Sequence, residues 1–301
     1  MKIVSRCEEG GTPRPAKWGL DSEYGRLRDV LIGPIEHYTW QANSNAVAHR
    51  SQRMGFHFDS RVAAAQYKEV VRNFEEAGVT VHTLRADPAL PYQLYARDSS
   101  VMTPWGAVIM QMQRPYRRGE YVACLEFYLG KEIPIFGIVT AGSIEGGDFM
   151  VLEPGLAVCG YSGDRSTEPA VEQMKTWFEK EGWEFKPYAF DPHFLHLDVQ
   201  MGMIAEKLAA VCVEAVEPDF VTWLTSRGIR IIEVSYRDAM QMGCNLVALG
   251  QEKVIIPASN TRLVQACQAE GLTVFSPDVE MISNGGGSLH CMCQALSRDP
   301  A

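Results

Sequence analysis

The stretch "NFEEAGVTVHTL", residues 73–84, ends a helical pattern on a glycine and turns at once into a short run of alternating residues. Four more stretches do the same: "LEFYLGKEIPIFGI" (125–138), "WFEKEGWEFKPYAF" (177–190), "WLTSRGIRIIEV" (223–234) and "ACQAEGLTVFSP" (266–277). Each glycine, at 78, 130, 182, 228 and 271, stands where a left-handed helix C-cap favours a residue without Cβ. The glycines recur every 43 to 52 residues, while the side chains match poorly between units. The repeat is one of structure, not of recent duplication.

A second strand recurs upstream of each helix: "LRDVLIGP", "GAVIMQM", "GLAVCGYS", "LAAVCVEAV" and "CNLVALGQEKVIIP". Each unit therefore reads as strand, helix and strand with an added turn. A period of about 40–50 residues points to an array or a propeller. With strands and helices alternating, the expected fold is α/β, a closed five-bladed α/β propeller with pseudo-fivefold repeats, built as one domain over 1–301.

The segments after each second strand are "YARDSS", "IEGGDF", "LHLDVQ", "SYRDAMQ" and "GGGSLHCM". Asp98, Glu145, His196 and Cys291 lie 14 to 20 residues beyond their glycines. Equivalent positions of a closed ring meet at its axis. Two carboxylates, a His–Asp pair and a thiol would then share one pocket.

The tail "SNGGGSLHCMC" (283–293) admits several readings. A phosphate cradle would need a strand–GxxxxGK[ST]–helix context, which is missing. Zinc would want more closely spaced ligands than His290, Cys291 and Cys293 supply. A nucleophilic Cys291 is the preferred reading, with the glycines letting a tight loop approach a flat substrate and Cys293 left to packing. His196 and Asp198, at i and i+2, share one side of a strand, and a histidine near a thiol can serve as general acid and base. His193 lies just outside this pattern. Clustered acids at Asp98, Glu145 and Asp198 call for a cation, and a planar guanidinium suits carboxylates bidentately. Asp148 and Asp238 suit capping or Asx-turn duty. Arg117 or Arg118, and Arg165, are candidates to hold a carboxylate at the ligand's far end. Asn245 reads as a group that satisfies backbone polar atoms.

Hydrophobic content of 46% and charged content of 22% are those of a globular protein. The net charge is −9, and no basic cluster exceeds "RPYRRGE", which argues against nucleic acid as a partner. No apolar run reaches 18 residues and the start lacks a signal-peptide pattern, so no membrane association and a cytosolic location are expected. In that compartment the eight cysteines are expected as thiols. Nothing in the sequence fixes the oligomeric state, and a homo-oligomer stays open.

Taken in order, "SEYGRLRDVLIGP", "RD", "EGGD", "HLD", "CNLVALG" and "GGGSLHCM" resemble the guanidino-group-modifying enzymes of the pentein superfamily. These are arginine deiminases, dimethylarginine dimethylaminohydrolases and amidinotransferases. The resemblance implies a five-bladed α/β propeller without metal or organic cofactor. It implies Cys291 as nucleophile, His196 as general acid and base, and Asp98 and Glu145 as a guanidinium clamp assisted by Asp198, for a small cationic guanidino substrate; Arg165 and Arg118 remain the residue-level candidates for binding the rest of it. "EGGD" and the ending look like the hydrolases, and "HLD" looks like the deiminases. The helical insert of free-arginine deiminases is not found, and "SGDRST" (162–167) departs from the "SxRT" carboxylate segment by one extra residue and by Ser166 after Arg165. The implied activity is hydrolysis of a guanidino C–N bond through a covalent cysteine intermediate. The alternatives are amidino transfer to an amine and a non-catalytic binding role.

Overall fold

The computed structural model describes residues 3–41 and 45–301. Its strands form five separate three-stranded sheets, and each sheet obeys one rule. The central strands are β1 (Leu27–Ile32), β4 (Gly106–Ile109), β7 (Leu156–Tyr161), β10 (Leu208–Val211) and β13 (Lys253–Ile255). Each pairs in parallel with the strand that follows the next long helix: β2 (Thr80–Thr83), β5 (Ile135–Ile138), β8 (Glu184–Ala189), β11 (Arg230–Glu233) and β14 (Thr273–Phe275). These are the two strands legible in every sequence unit, with the crossover helix a parallel pair requires.

A third strand completes each sheet on the antiparallel side: β15 (Cys293–Arg298), β3 (Ser100–Thr103), β6 (Phe149–Glu153), β9 (Met201–Ala205) and β12 (Val247–Gly250). Sequence reasoning foresaw a turn there, joining β12 to its neighbour in one unit, and missed the strand. These strands are buried along nearly their whole length. A strand covered on both faces has no alternating pattern to read. In the first sheet the third strand comes from the chain's far end, so β15 ties that end back onto β1.

The helices between parallel strands are Ser60–Glu76, Tyr121–Gly130, Glu168–Lys180, Pro218–Ser226 and Thr261–Ala269. Four end as expected, with Gly78, Gly182, Gly228 and Gly271 at φ between 76° and 89°. The fifth differs. Gly130 is the helix's last residue, and the left-handed position falls two residues later on Glu132, at φ 56°. There Glu132 N–H donates to Leu129 O and Ile133 N–H to Tyr128 O, the same pair of bonds that Gly78 and Val79 make to Glu75 and Phe74. The cap geometry persists even where the glycine is misplaced.

Candidate active site

Every third strand is preceded by a tight turn: Ala96–Ser99 before β3, Gly146–Asp148 before β6, Leu197–Gln200 before β9, residues 244–246 before β12 and Leu289–Met292 before β15. Through these turns the fold brings Asp98, Glu145, His196, Asp198, Asn245 and Cys291 together, all buried. A small cavity of about 10 Å³ is lined by Asp98, Arg117, Arg165, His196 and Cys291, with Tyr95 and Gly286 in its wall.

Glycine has a steric reason at both ends of this cluster. A Cβ on Gly147 would stand 2.7 Å from His196 Nδ1. The glycine run 285–287 was expected to face a flat substrate. Instead it packs mainly on the protein's own rings: a Cβ at Gly285 would overlap Tyr38 Oη, and one at Gly287 would fall 2.6 Å from the Tyr95 ring. The Tyr38 and Tyr95 hydroxyls lie 2.7 Å apart and 2.9 and 3.0 Å from Ile282 O, so one donates to the other and that other donates to the carbonyl, which anchors this loop.

The carboxylates differ in what already holds them. Glu145 accepts from Arg165 Nη1 at 3.0 Å and lies 2.9 Å from His196 Nε2, with Arg117 Nη1 at 3.6 Å. Burial opposes its ionisation, but Arg165, His196 and Arg117 outweigh burial and hold the carboxyl well below its usual range. Asp98 accepts from Arg117 Nη1 at 2.8 Å and from Gly147 N–H at 3.2 Å. Asp198 Oδ2 lies 2.8 Å from His290 Nδ1 and 3.4 Å from Cys291 Sγ. Its other oxygen, Oδ1, is buried with no hydrogen-bond partner among the described residues. Burial resists its charge too, and His290, His196 and Arg97 more than compensate.

His196 stands against burial yet titrates at about 10, because Asp98, Asp148 and Glu145 surround it. It is therefore an imidazolium at neutral pH. Its Nδ1 faces Asp98 Oδ1 at 3.8 Å and makes no hydrogen bond. The Cys291 thiol is pushed well above its ordinary range by burial and by Asp198 and Asp98. The site thus holds a thiol and a charged histidine.

Two arginine expectations part ways. Arg165 is buried in the cluster, while Arg118 is exposed and donates to Gln113 O. The buried residue is Arg117, whose guanidinium also grips Glu120 through Nε at 2.9 Å and Nη2 at 2.8 Å. The 3-10 turn Pro115–Arg117 directs Arg117 inward and its successor outward. Asp148 does cap a helix, but one in another unit: it accepts from Leu197 N–H at 2.8 Å and from the Ser166 hydroxyl, and burial lifts its carboxyl to about 7. Ser166, the departure in "SGDRST", also accepts from Glu145 N–H, so it joins the two acids. Asp238 bonds locally to Ser235, and His193 is exposed against Tyr236. Cys293 is buried in the core.

Sequence reasoning missed His290 as a partner of Asp198 and gave Asn245 only a backbone duty. Asn245 precedes β12 just as the other site turns precede their strands, and that matched position was the available signal. Among the described residues, donor atoms of Asp98, Glu145 and His196 lie within 4.8 Å of one another and could hold a metal ion. The guanidinium groups of Arg117 and Arg165 already pair with those carboxylates and oppose a second fixed cation there. Among the described residues, no helix is long and apolar enough to cross a membrane.

Five small α/β units with an acid, histidine and cysteine cluster at their turns define a class of guanidino-modifying enzymes. Residues 37–298 match the family described as N,N dimethylarginine dimethylhydrolase, eukaryotic, and the chain belongs to that family within the pentein superfamily. The uncharacterized protein YkgA of Bacillus subtilis (strain 168) is 26% identical over 277 residues, 92% of this chain and 94% of that one. Dimethylarginine dimethylaminohydrolase from Pseudomonas aeruginosa, solved as a cysteine-to-serine mutant with citrulline, shares the fold at TM-score 0.73 and 20% identity, over 89% of this chain and 99% of that one. The N-terminal domain of the cyanobacterial arginine dihydrolase ArgZ does so at TM-score 0.79 and 17% identity, over 91% and 98%.

Proposed function

We propose that the chain is a cysteine-dependent hydrolase of a small guanidino compound, arginine or a derivative, built as one catalytic domain over 1–301 with its five units closed into a propeller. A cytoplasmic location belongs to the same proposal. The observation that carries the reading is the meeting of Cys291, His196 and Asp98 on one cavity, with Asp198 Oδ2 3.4 Å from the sulfur. Membership of the family supports it.

The substrate guanidinium lies against Asp98 and Asp198, while Glu145 holds the imidazolium of His196. This shifts one expected role: Glu145, whose Oε2 lies 2.9 Å from His196 Nε2, orients the acid and does not clamp the ligand directly. The incoming cation offsets the negative field of Asp198 and Asp98 and lets the Cys291 proton leave to solvent. The thiolate forms a C–S bond to the central guanidinium carbon. Protonated His196 gives its proton to the departing nitrogen as that C–N bond breaks, leaving an amidino-enzyme. Neutral His196 then takes a proton from water, the oxygen adds to the same carbon, and the C–S bond breaks to return the thiolate and a ureido product.

The rest of the ligand extends toward a recess of about 150 Å³ whose walls include Arg165, Arg114, Leu195, Met240 and Met242. Arg165 suits a carboxylate there, and the methionines suit an uncharged substituent. The test is a product assay across arginine, methylated and acylated arginines, agmatine and short guanidino acids. Ammonia or an amine appearing with an equal amount of ureido product supports hydrolysis. Turnover only after an amine acceptor is added would make the chain an amidinotransferase instead.

A further inference from the structure

Asn245 is fully buried in the turn before β12, and both ends of its carboxamide are engaged. Its Oδ1 accepts from His290 N–H at 2.9 Å and from Cys291 N–H at 3.2 Å. Its Nδ2 lies 3.2 Å from Cys291 Sγ and 3.4 Å from Asp198 O. The two backbone donors fix the amide's orientation, because a flipped amide would aim its own N–H groups at theirs. The end facing the sulfur is therefore the donor.

We propose that Asn245 is a catalytic residue: its carboxamide clamps the nucleophile's turn and donates the hydrogen bond that receives the charge of the Cys291 thiolate. Satisfying two consecutive backbone amides would need only an acceptor. An amide placed so that its donor also reaches the reacting atom does more than a structural cap.

The surroundings make that donor consequential. Asp198 on the Leu197–Gln200 turn and Asp98 on the Ala96–Ser99 turn both oppose a negative sulfur. The hydroxyls of Tyr38 and Tyr95 stand close enough for the thiolate to raise them, but they are spent on each other and on Ile282 O. His290, on the nucleophile's own turn, is directed at Asp198, and His196 at Glu145. A backbone group of Ser288 and the Asn245 amide, both hydrogen-bonding the sulfur, favour the charged form. A hydrogen bond to an ionised group is among the strong ones, and in a buried site its loss falls directly on the thiolate.

The proposal rests on Cys291 being the reacting atom, but its test reads the thiol itself and needs no substrate. Iodoacetamide labelling of the Cys291 peptide is followed by mass spectrometry across alkaline pH in the native chain and in Asn245→Leu. Leucine fills the volume and keeps water out while removing the donor. The expected result is a labelling midpoint raised by about one pH unit or more, or roughly tenfold slower labelling at a fixed pH below the midpoint. A role confined to holding the turn predicts the opposite sign, because a loosened turn admits water and lets the thiol ionise more easily. A midpoint equal to or below that of the native chain overturns the proposal. Should Asn245→Leu fail to give a cooperative melt, Asn245→Val is read by the same criterion.

Discussion

The outer joints and the inner turns of the five units obey different rules. At the joints, where helices hand over to β2, β5, β8, β11 and β14, the backbone geometry repeats almost unchanged, even at Glu132 where the glycine is two residues out of place. At the turns before the third strands, position repeats but chemistry does not: Asp98, Asp148, Asp198, Asn245 and Cys291 stand one to three residues before their strands with different functional groups. One architecture is set by local backbone physics and the other by what meets at the centre. Substitutions at the joints should therefore act on stability and spare the chemistry. Substitutions at the inner turns should do the reverse unless they strand a buried charge.

The sharpest separation is expected at Cys291. Cys291→Ser should lower turnover roughly 10³-fold or more, because serine has no comparable anion at neutral pH, while the melting temperature barely moves. Comparable losses in both readouts would blur the line between the regions. The acids come next. Glu145→Gln leaves Arg165 and His196 without their buried counter-charge and should cost about 3–5 kcal/mol in unfolding free energy along with turnover. Asp198→Asn should chiefly raise KM for a guanidinium substrate, about tenfold or more, with a smaller stability loss. Equal KM values for Asp198→Asn and the native chain would return the clamp to Glu145.

The pH dependence of stability carries a definite sign. His196 titrates at about 10 in the folded chain, above its ordinary value near 6.5. Its protonated form contributes stability that is complete below about 6.5 and is lost as pH rises toward 10. Unfolding followed by denaturant from pH 6.5 to 10 should show this decline, and His196→Gln should flatten its lower half. A flat native profile would contradict the charged histidine. The smallest effects belong to the joints. Gly182→Ala meets no atom within 4 Å but forces a side chain to φ 77°, and should cost about 1 kcal/mol. Glu132→Gly should recover a part of that amount, and both variants should keep native turnover.

What the sequence disclosed follows the same division. The helix–strand joints were legible because Gly78, Gly182, Gly228 and Gly271 announce a cap that almost no other residue takes without strain. The parallel pairs followed from them. The third strands were not legible, since β3, β6, β9 and β15 lie between covered surfaces and carry no period-two signal. At the site, the residue types and their matched positions pointed to Cys291, His196, Asp98, Glu145 and Asp198, all of which the fold brings together. Sequence could not say how the acids are held, because that depends on Arg165 and Arg117 reaching back to Glu145 and Asp98 from the loops after β7 and β4. The choice between Arg117 and Arg118 hung on the phase of a single 3-10 turn, and composition says nothing about that phase.

The measurement that bears most directly on the central claim is acid quenching of the enzyme during turnover, followed by peptide mass mapping. The account predicts a mass increase equal to an amidino group on the peptide carrying Cys291, appearing with ureido product and absent in Cys291→Ser. Ureido product formed with no adduct on that peptide, and at a similar rate by the serine variant, would contradict it.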